Sequence, residues 1–208
     1  MKTMNKSSMV LLAAAAFVGC AQRPASRFVR PLSPAVDAGH IENATLPASF
    51  TADDFNWKDG RLSLTVFQED LYDAVEVNAL AAGDTLLWNQ DTIIIREIEQ
   101  DGEVKVFNKG MEEGGAELTA NGGGTYRALL WDDHSAYTAI GQAALPLADD
   151  FLLIDCGEEP ADPNDTLRTG QQAYLEALKD SRRQFNCLNT TVVVEKGRIA
   201  SITRRWIP

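Results

Sequence analysis

The sequence predicts a β-rich α+β domain: a small antiparallel sheet or open barrel, one helix near the C-terminus, and a terminal β-hairpin. Three observations carry this reading. Short apolar/polar alternations recur through the middle of the chain, which is the period of half-buried strands. Glycine-containing turn pairs separate them. One stretch only, residues 169–185, has the three-, four- and seven-residue apolar spacing of a helix.

Taken in order, residues 61–67 follow an Asp59-Gly60 turn and put Leu62, Leu64 and Val66 on one face. Residues 71–77 fit either a short turn or a strand. Gly83-Asp84 breaks the chain before the strand-like run at 85–88. Residues 92–99 are β-branched and strand-forming. Asp101-Gly102 then precedes the alternating run 103–107, and predicts a type I′ hairpin with positive φ at both central residues. Further short strands are expected after Gly114-Gly115 and after Gly122-Gly123-Gly124, then at 137–145 and 151–154. In the predicted helix, Thr169 and Gln172 have capping-box spacing. Tyr174, Leu175, Leu178 and Phe185 make its apolar face, and Lys179, Arg182 and Arg183 suit its C-terminal dipole. The final hairpin turns at Lys196-Gly197.

The N-terminus reads differently. Lys2 and Lys6 are followed by an apolar run at 9–19, too short to span a bilayer as a helix. The run ends in Phe17-Val18-Gly19-Cys20, which resembles the lipobox of bacterial lipoproteins. The resemblance covers about the first twenty residues. It implies cleavage before Cys20, lipidation of Cys20, and a place in the bacterial cell envelope on the extracytoplasmic side of a membrane. Two or more acyl chains hold stably, since each buried methylene contributes about 0.8 kcal/mol. The expected organisation is a signal peptide at 1–19, a lipidated cysteine with a flexible tether at 20–48, and a single β-rich domain at 49–208. Pro24, Pro31, Pro34 and Pro47 mark the tether. Its Arg23, Arg27 and Arg30 either lie near anionic headgroups or belong to a plain soluble spacer.

The formal charge is −11, and it is unevenly spread. Residues 41–165 hold 26 acidic against 6 basic side chains, whereas residues 166–208 hold 3 against 8. So acidic a body repels phosphate backbones and excludes nucleic acid as a partner. After Cys20 two cysteines remain, Cys156 and Cys187. An even count in an exported chain permits a disulfide; two separate buried thiols are the other reading.

Candidate chemistry is sparse. His134 is the one histidine of the domain, within Asp132-Asp133-His134-Ser135. A hydrolase would have to be centred on it and nearby carboxylates, yet Ser135 is its immediate neighbour and points away on an extended chain. No nucleophile-elbow motif is present. No recognisable metal-ligand spacing or cofactor motif appears. Asp162, Asn164 and Asp165 alternate like calcium ligands but lack the distal Glu of an EF-hand, and suit a turn before the helix. The aromatics Trp57, Trp88, Tyr126 and Trp131 would suit a sugar-stacking platform or fill the core. The expected function is therefore a membrane-anchored lipoprotein presenting a non-catalytic binding domain. Its binding residues are Trp88, Tyr126, Trp131 and His134, its partner an envelope protein or glycan. A surface hydrolase centred on His134 is the alternative.

Overall fold

The computed structural model describes residues 25–56, 58–155, 184–205 and 207. Cys20, Trp57, Cys156, the 162–165 loop and the predicted helix at 169–183 lie outside the described residues.

Fourteen strands and one short helix are found among them: β1 (Phe28–Val29), β2 (Ala44–Ser49), β3 (Phe55–Asn56), β4 (Arg61–Glu69), β5 (Leu71–Asp73), α1 (Ala74–Asn78), β6 (Thr85–Trp88), β7 (Asp91–Ile94), β8 (Ile98–Asp101), β9 (Val104–Phe107), β10 (Ala116–Gly122), β11 (Thr125–Leu129), β12 (Tyr137–Asp155), β13 (Thr190–Glu195) and β14 (Arg198–Arg204). They build two adjoining halves, each with its own core.

The first half is a ring of pairings, β12-β14-β13-β2-β4 and back to β12, with β3 added along β4. The nineteen-residue β12 makes the ring possible. Its first part runs antiparallel to β4, from Tyr137 opposite Glu69 to Pro146 opposite Arg61. Its second part runs parallel to β14, from Leu152 opposite Ser201 to Asp155 opposite Arg204, after a register shift between Leu147 and Leu152. Alternation aims Leu62, Leu64 and Val66 of β4 and Val192 and Val194 of β13 into one buried cluster, and a register shift opposite Val193 and Val194 lets Ile199 and Ile202 of β14, three residues apart, both join it. Each such side chain contributes about 1.5–3 kcal/mol by leaving water. Phe50 and Phe185 stack across one end, ring centroids 4.6 Å apart. Beside them the Arg204 guanidinium pairs with Asp155 at 2.8 Å, both side chains buried.

The second half sets the three-stranded sheet β1-β6-β7 against the five-stranded sheet β5-β11-β10-β9-β8. Val29, Leu86, Trp88 and Ile93 meet Tyr72, Phe107, Leu118 and Ala128 between them. The Tyr72 hydroxyl donates to the Leu87 carbonyl at 2.9 Å, which ties the sheets together. Asp73 caps α1, its Oδ1 accepting from the amides of Val75 and Glu76 at 2.8 and 3.0 Å.

Several expectations need correction. The β-rich expectation holds, but the fold is mostly β with few helices: among the described residues α1 is the only α-helix. Phe185, assigned by periodicity to a helical apolar face, is instead a β-bridge partner of Phe50. Burial against the other ring, not helical register, places it. Nor are the sheets purely antiparallel, since β1–β6 and β12–β14 run parallel. The described part of the expected tether, residues 25–48, is built into the fold, with Val29, Ile41 and Leu46 buried. Its described prolines, Pro31, Pro34 and Pro47, are accommodated in the fold. Pro47 sits where β2 passes from pairing with β13 to pairing with β4. Pro31 and Pro34 flank a strap held by side-chain bonds, Gln68 reaching the Leu32 carbonyl at 2.9 Å and the Ala35 amide at 3.2 Å. The loop near Asp101 is also shifted by one residue. Its central pair is Gly102-Glu103, with positive φ at Gly102 only, as a type II′ rather than a type I′ turn requires. Lys196-Gly197 does have positive φ at both residues, 51° and 71°.

Candidate functional site

The site forms at one end of the second half, from three turns. The first joins β6 to β7: Trp88 pairs with Asp91, and Asn89-Gln90 between them have φ of 46° and 69°. Asn tolerates this region better than most residues, which suits a type I′ turn. Alternation turns Trp88 inward, and its Nε1 donates to the Glu117 carbonyl at 3.2 Å. The second is a 3-10 turn, Met111–Glu113, between Gly110 and Gly114. The chain beyond it passes so close to the Phe107 carbonyl that a Cβ on Gly115 would collide with it. The third is a 3-10 turn at Trp131–Asp133, where Asp132 and Asp133 hold φ of 56° and 61°.

Left-handed backbone at Asp132 and Asp133, outside a two-residue hairpin, is held in place by its surroundings. The Leu130 amide donates to the His134 carbonyl at 2.7 Å and closes the loop. The Arg127 guanidinium donates to the Asp133 carbonyl at 3.2 Å and to Ser135 Oγ at 3.3 Å. Ser135 Oγ in turn donates to Glu69 Oε1 at 2.6 Å. Charge–hydroxyl–charge bonding of this kind is strong and directional. In the turn so braced, Trp131 is 59% exposed.

Between these turns lies an open groove of about 680 Å³. Trp88 and Ile93 lie on its inner side; Trp131, His134 and Met111 also line it. Leu188, from the segment before β13, closes one side while 43% exposed. Asp91 lines it, and Glu112, Glu113, Asp132 and Asp133, exposed and adjacent in the chain to the lining residues Met111 and Trp131, add acidic charge to that end.

The structure brings together three of the four expected binding residues, Trp88, Trp131 and His134. Tyr126 is not among the groove's lining residues. It lies on β11 with its hydroxyl donating to Asn78 Oδ1 at 3.2 Å, because the alternation of that strand sends it toward α1. Sequence reasoning missed Leu188 and Met111. Met111 had a local signal in its flanking glycines; Leu188 had none, since only the tertiary fold returns it to this end. His134 and Ser135 serve different neighbours, the groove and Glu69 respectively, so the adjacent pair does not act as one unit.

Other titratable groups are shifted for structural reasons. Burial pushes the Asp70 carboxyl above its usual range, helped by the charge of Glu69 and opposed by hydrogen bonds from Thr138. Burial likewise raises Tyr72, with Asp70 adding to it. Tyr137 is raised by burial, then by Glu69. Cys187 is a part-buried thiol raised by burial, and among the described residues it is free; Cys156 lies outside them. Among the described residues no three His, Cys, Asp or Glu side chains gather where they could hold a metal ion. No described helix is long and apolar enough to cross a membrane.

No protein-family model, no curated protein and no solved structure matches the chain.

Proposed function

We propose that this chain is a lipid-anchored lipoprotein of the bacterial cell envelope whose β domain binds a glycan, without catalysis, in the groove at Trp131. The observation that supports this best is the exposed Trp131 ring, carried on a braced turn beside Trp88, His134 and Leu188. A flat aromatic face suits the apolar face of a sugar ring, while the polar groups at the rim suit its hydroxyls. The acidic charge at that end favours neutral or amino-bearing sugars over anionic ones. The lipobox-like Phe17-Val18-Gly19-Cys20 supports the anchor.

Two measurements test the reading. Cys20→Ala should move the protein from the membrane fraction to the soluble fraction; an unchanged distribution rejects the anchor. Neutral N-acetylated and deacetylated amino-sugar oligosaccharides should shift tryptophan emission saturably, and a uronic acid polymer should not. If no oligosaccharide of any charge shifts the emission or gives heat in calorimetry, the glycan reading is rejected.

A further inference from the structure

Among the described residues six large apolar side chains are exposed, and two of them, Trp131 and Leu188, belong to the groove. Two others lie on one outer sheet face. In the three-stranded sheet Phe28 is paired with Thr85, and Thr85 with Ile94. Paired residues point to the same side, so Val29, Leu86 and Ile93 turn into the core while Phe28, Thr85 and Ile94 turn out. Phe28 is 55% and Ile94 63% exposed. The chain leaves this face through the exposed Arg30; the exposed Leu32 lies further along, in an apolar cleft of about 370 Å³ that reaches Gln90 of the β6–β7 turn. An aromatic, an aliphatic and an arginine thus gather on a body that is otherwise strongly acidic.

We propose that this face rests on the lipid bilayer, with Phe28 and Ile94 at the headgroup boundary and Arg30 toward anionic headgroups. The proposal rests on the lipid anchor at Cys20. Phe28 comes eight residues after Cys20. Even fully extended, the intervening chain reaches roughly 25 Å. That is less than the diameter of a domain this size, about 40 Å, so the end bearing Phe28 stays beside the membrane. There an exposed apolar face with a cation is favoured, because anionic headgroups attract arginine and repel the acidic remainder. The groove at Trp131 opens from the other end of the β6–β7 hairpin, since Trp88 and Thr85 are opposite ends of β6. Docking by Phe28 and Ile94 therefore leaves it accessible.

The test is quenching of tryptophan emission by brominated acyl chains. The full-length product, matured in cells, is reconstituted into vesicles of brominated phosphatidylcholine and phosphatidylglycerol. It is compared with Phe28→Trp, Ile94→Trp and, as a control on the other half, Asp149→Trp. All three positions are exposed, so folding is not at stake. Phe28→Trp and Ile94→Trp should lose a larger share of emission than the parent, and Asp149→Trp should not. Mass spectrometry of the N-terminal peptide reads the anchor separately. If Cys20 is acylated and the three variants behave alike, the docking face is overturned and the anchor stands. If Cys20 is unmodified, the anchor is overturned and the docking face with it.

Discussion

The carboxylate of Asp84 accepts a hydrogen bond from the backbone amide of Arg27, 57 residues earlier in the chain, at 2.9 Å. Its other oxygen accepts from the Ala81 amide, also at 2.9 Å. One side chain therefore closes the turn before β6 and fixes the start of β1. The amide of Arg27 is the first cause of a carboxyl pKa held below its usual value of 3.8. A depressed folded pKa means stability that is present above 3.8 and lost as pH falls through the folded value. Asp84→Ala should lower the unfolding midpoint at neutral pH, at a cost of about 1–3 kcal/mol. The gap from the parent should close in acid. Amide exchange of Thr85, which donates to the Arg27 carbonyl, should speed up in the variant. A variant that keeps the parent's midpoint at pH 7 removes Asp84 from this role.

Asp70 carries the opposite sign. It is 2% exposed, and burial raises its pKa above 3.8. The folded state then holds the proton more tightly than the unfolded one. Stability is lost as pH rises from the unfolded value to the folded one, and stays reduced above it. Asp70→Asn keeps an oxygen to accept from Thr138 and removes the charge. Its unfolding midpoint relative to the parent should be unchanged near pH 3 and should rise with pH, levelling off above the folded pKa. A relative midpoint that does not change with pH shows that the carboxyl ionises freely.

Strands were the most legible part of the fold, because alternation at Leu62, Leu64 and Val66 is a local record of which face is buried. What each strand pairs with is not local. Nothing in residues 137–155 announces that one strand pairs antiparallel with β4 and then parallel with β14. The N-terminal segment misled for a related reason. Prolines and the lack of a period suggest a loose chain, yet Gln68, Leu71 and Asp84 supply partners from elsewhere. At the site, Trp88, Trp131 and His134 were legible as rare residue types near turns. The separation of Tyr126 followed from strand phase, and the arrival of Leu188 from topology.

Phe185 and Phe50, each about 5% exposed, should matter to the β12-β14-β13-β2-β4 ring as a pair. Removing a buried phenyl ring costs about 3–5 kcal/mol, and a stacked pair adds about 0.5–1.5 kcal/mol of coupling. Phe185→Ala should therefore lower the denaturation midpoint strongly, and the double variant with Phe50→Ala should lose less than the sum of the two. Additive losses in a double-mutant cycle by denaturant unfolding would show that the rings do not act on each other.

Trp131 separates binding from folding most cleanly. Its ring is 59% exposed, so Trp131→Ala removes little buried contact and should change stability by no more than about 0.5 kcal/mol. If the ring is the surface on which an amino-sugar oligosaccharide stacks, the same change should weaken binding by about 2 kcal/mol, roughly thirtyfold. Trp131→Phe keeps a smaller flat face and should fall between the two. Breaking the brace instead of the ring gives an independent check. Arg127→Met removes the guanidinium that bonds the Asp133 carbonyl and Ser135, leaving Trp131 intact but its turn unsupported. Binding should weaken there too, with the tryptophan still present and now held less rigidly. Isothermal titration of the four proteins with the same oligosaccharide, beside their thermal unfolding, decides the matter. Equal affinity in the parent and Trp131→Ala would move the site away from this groove.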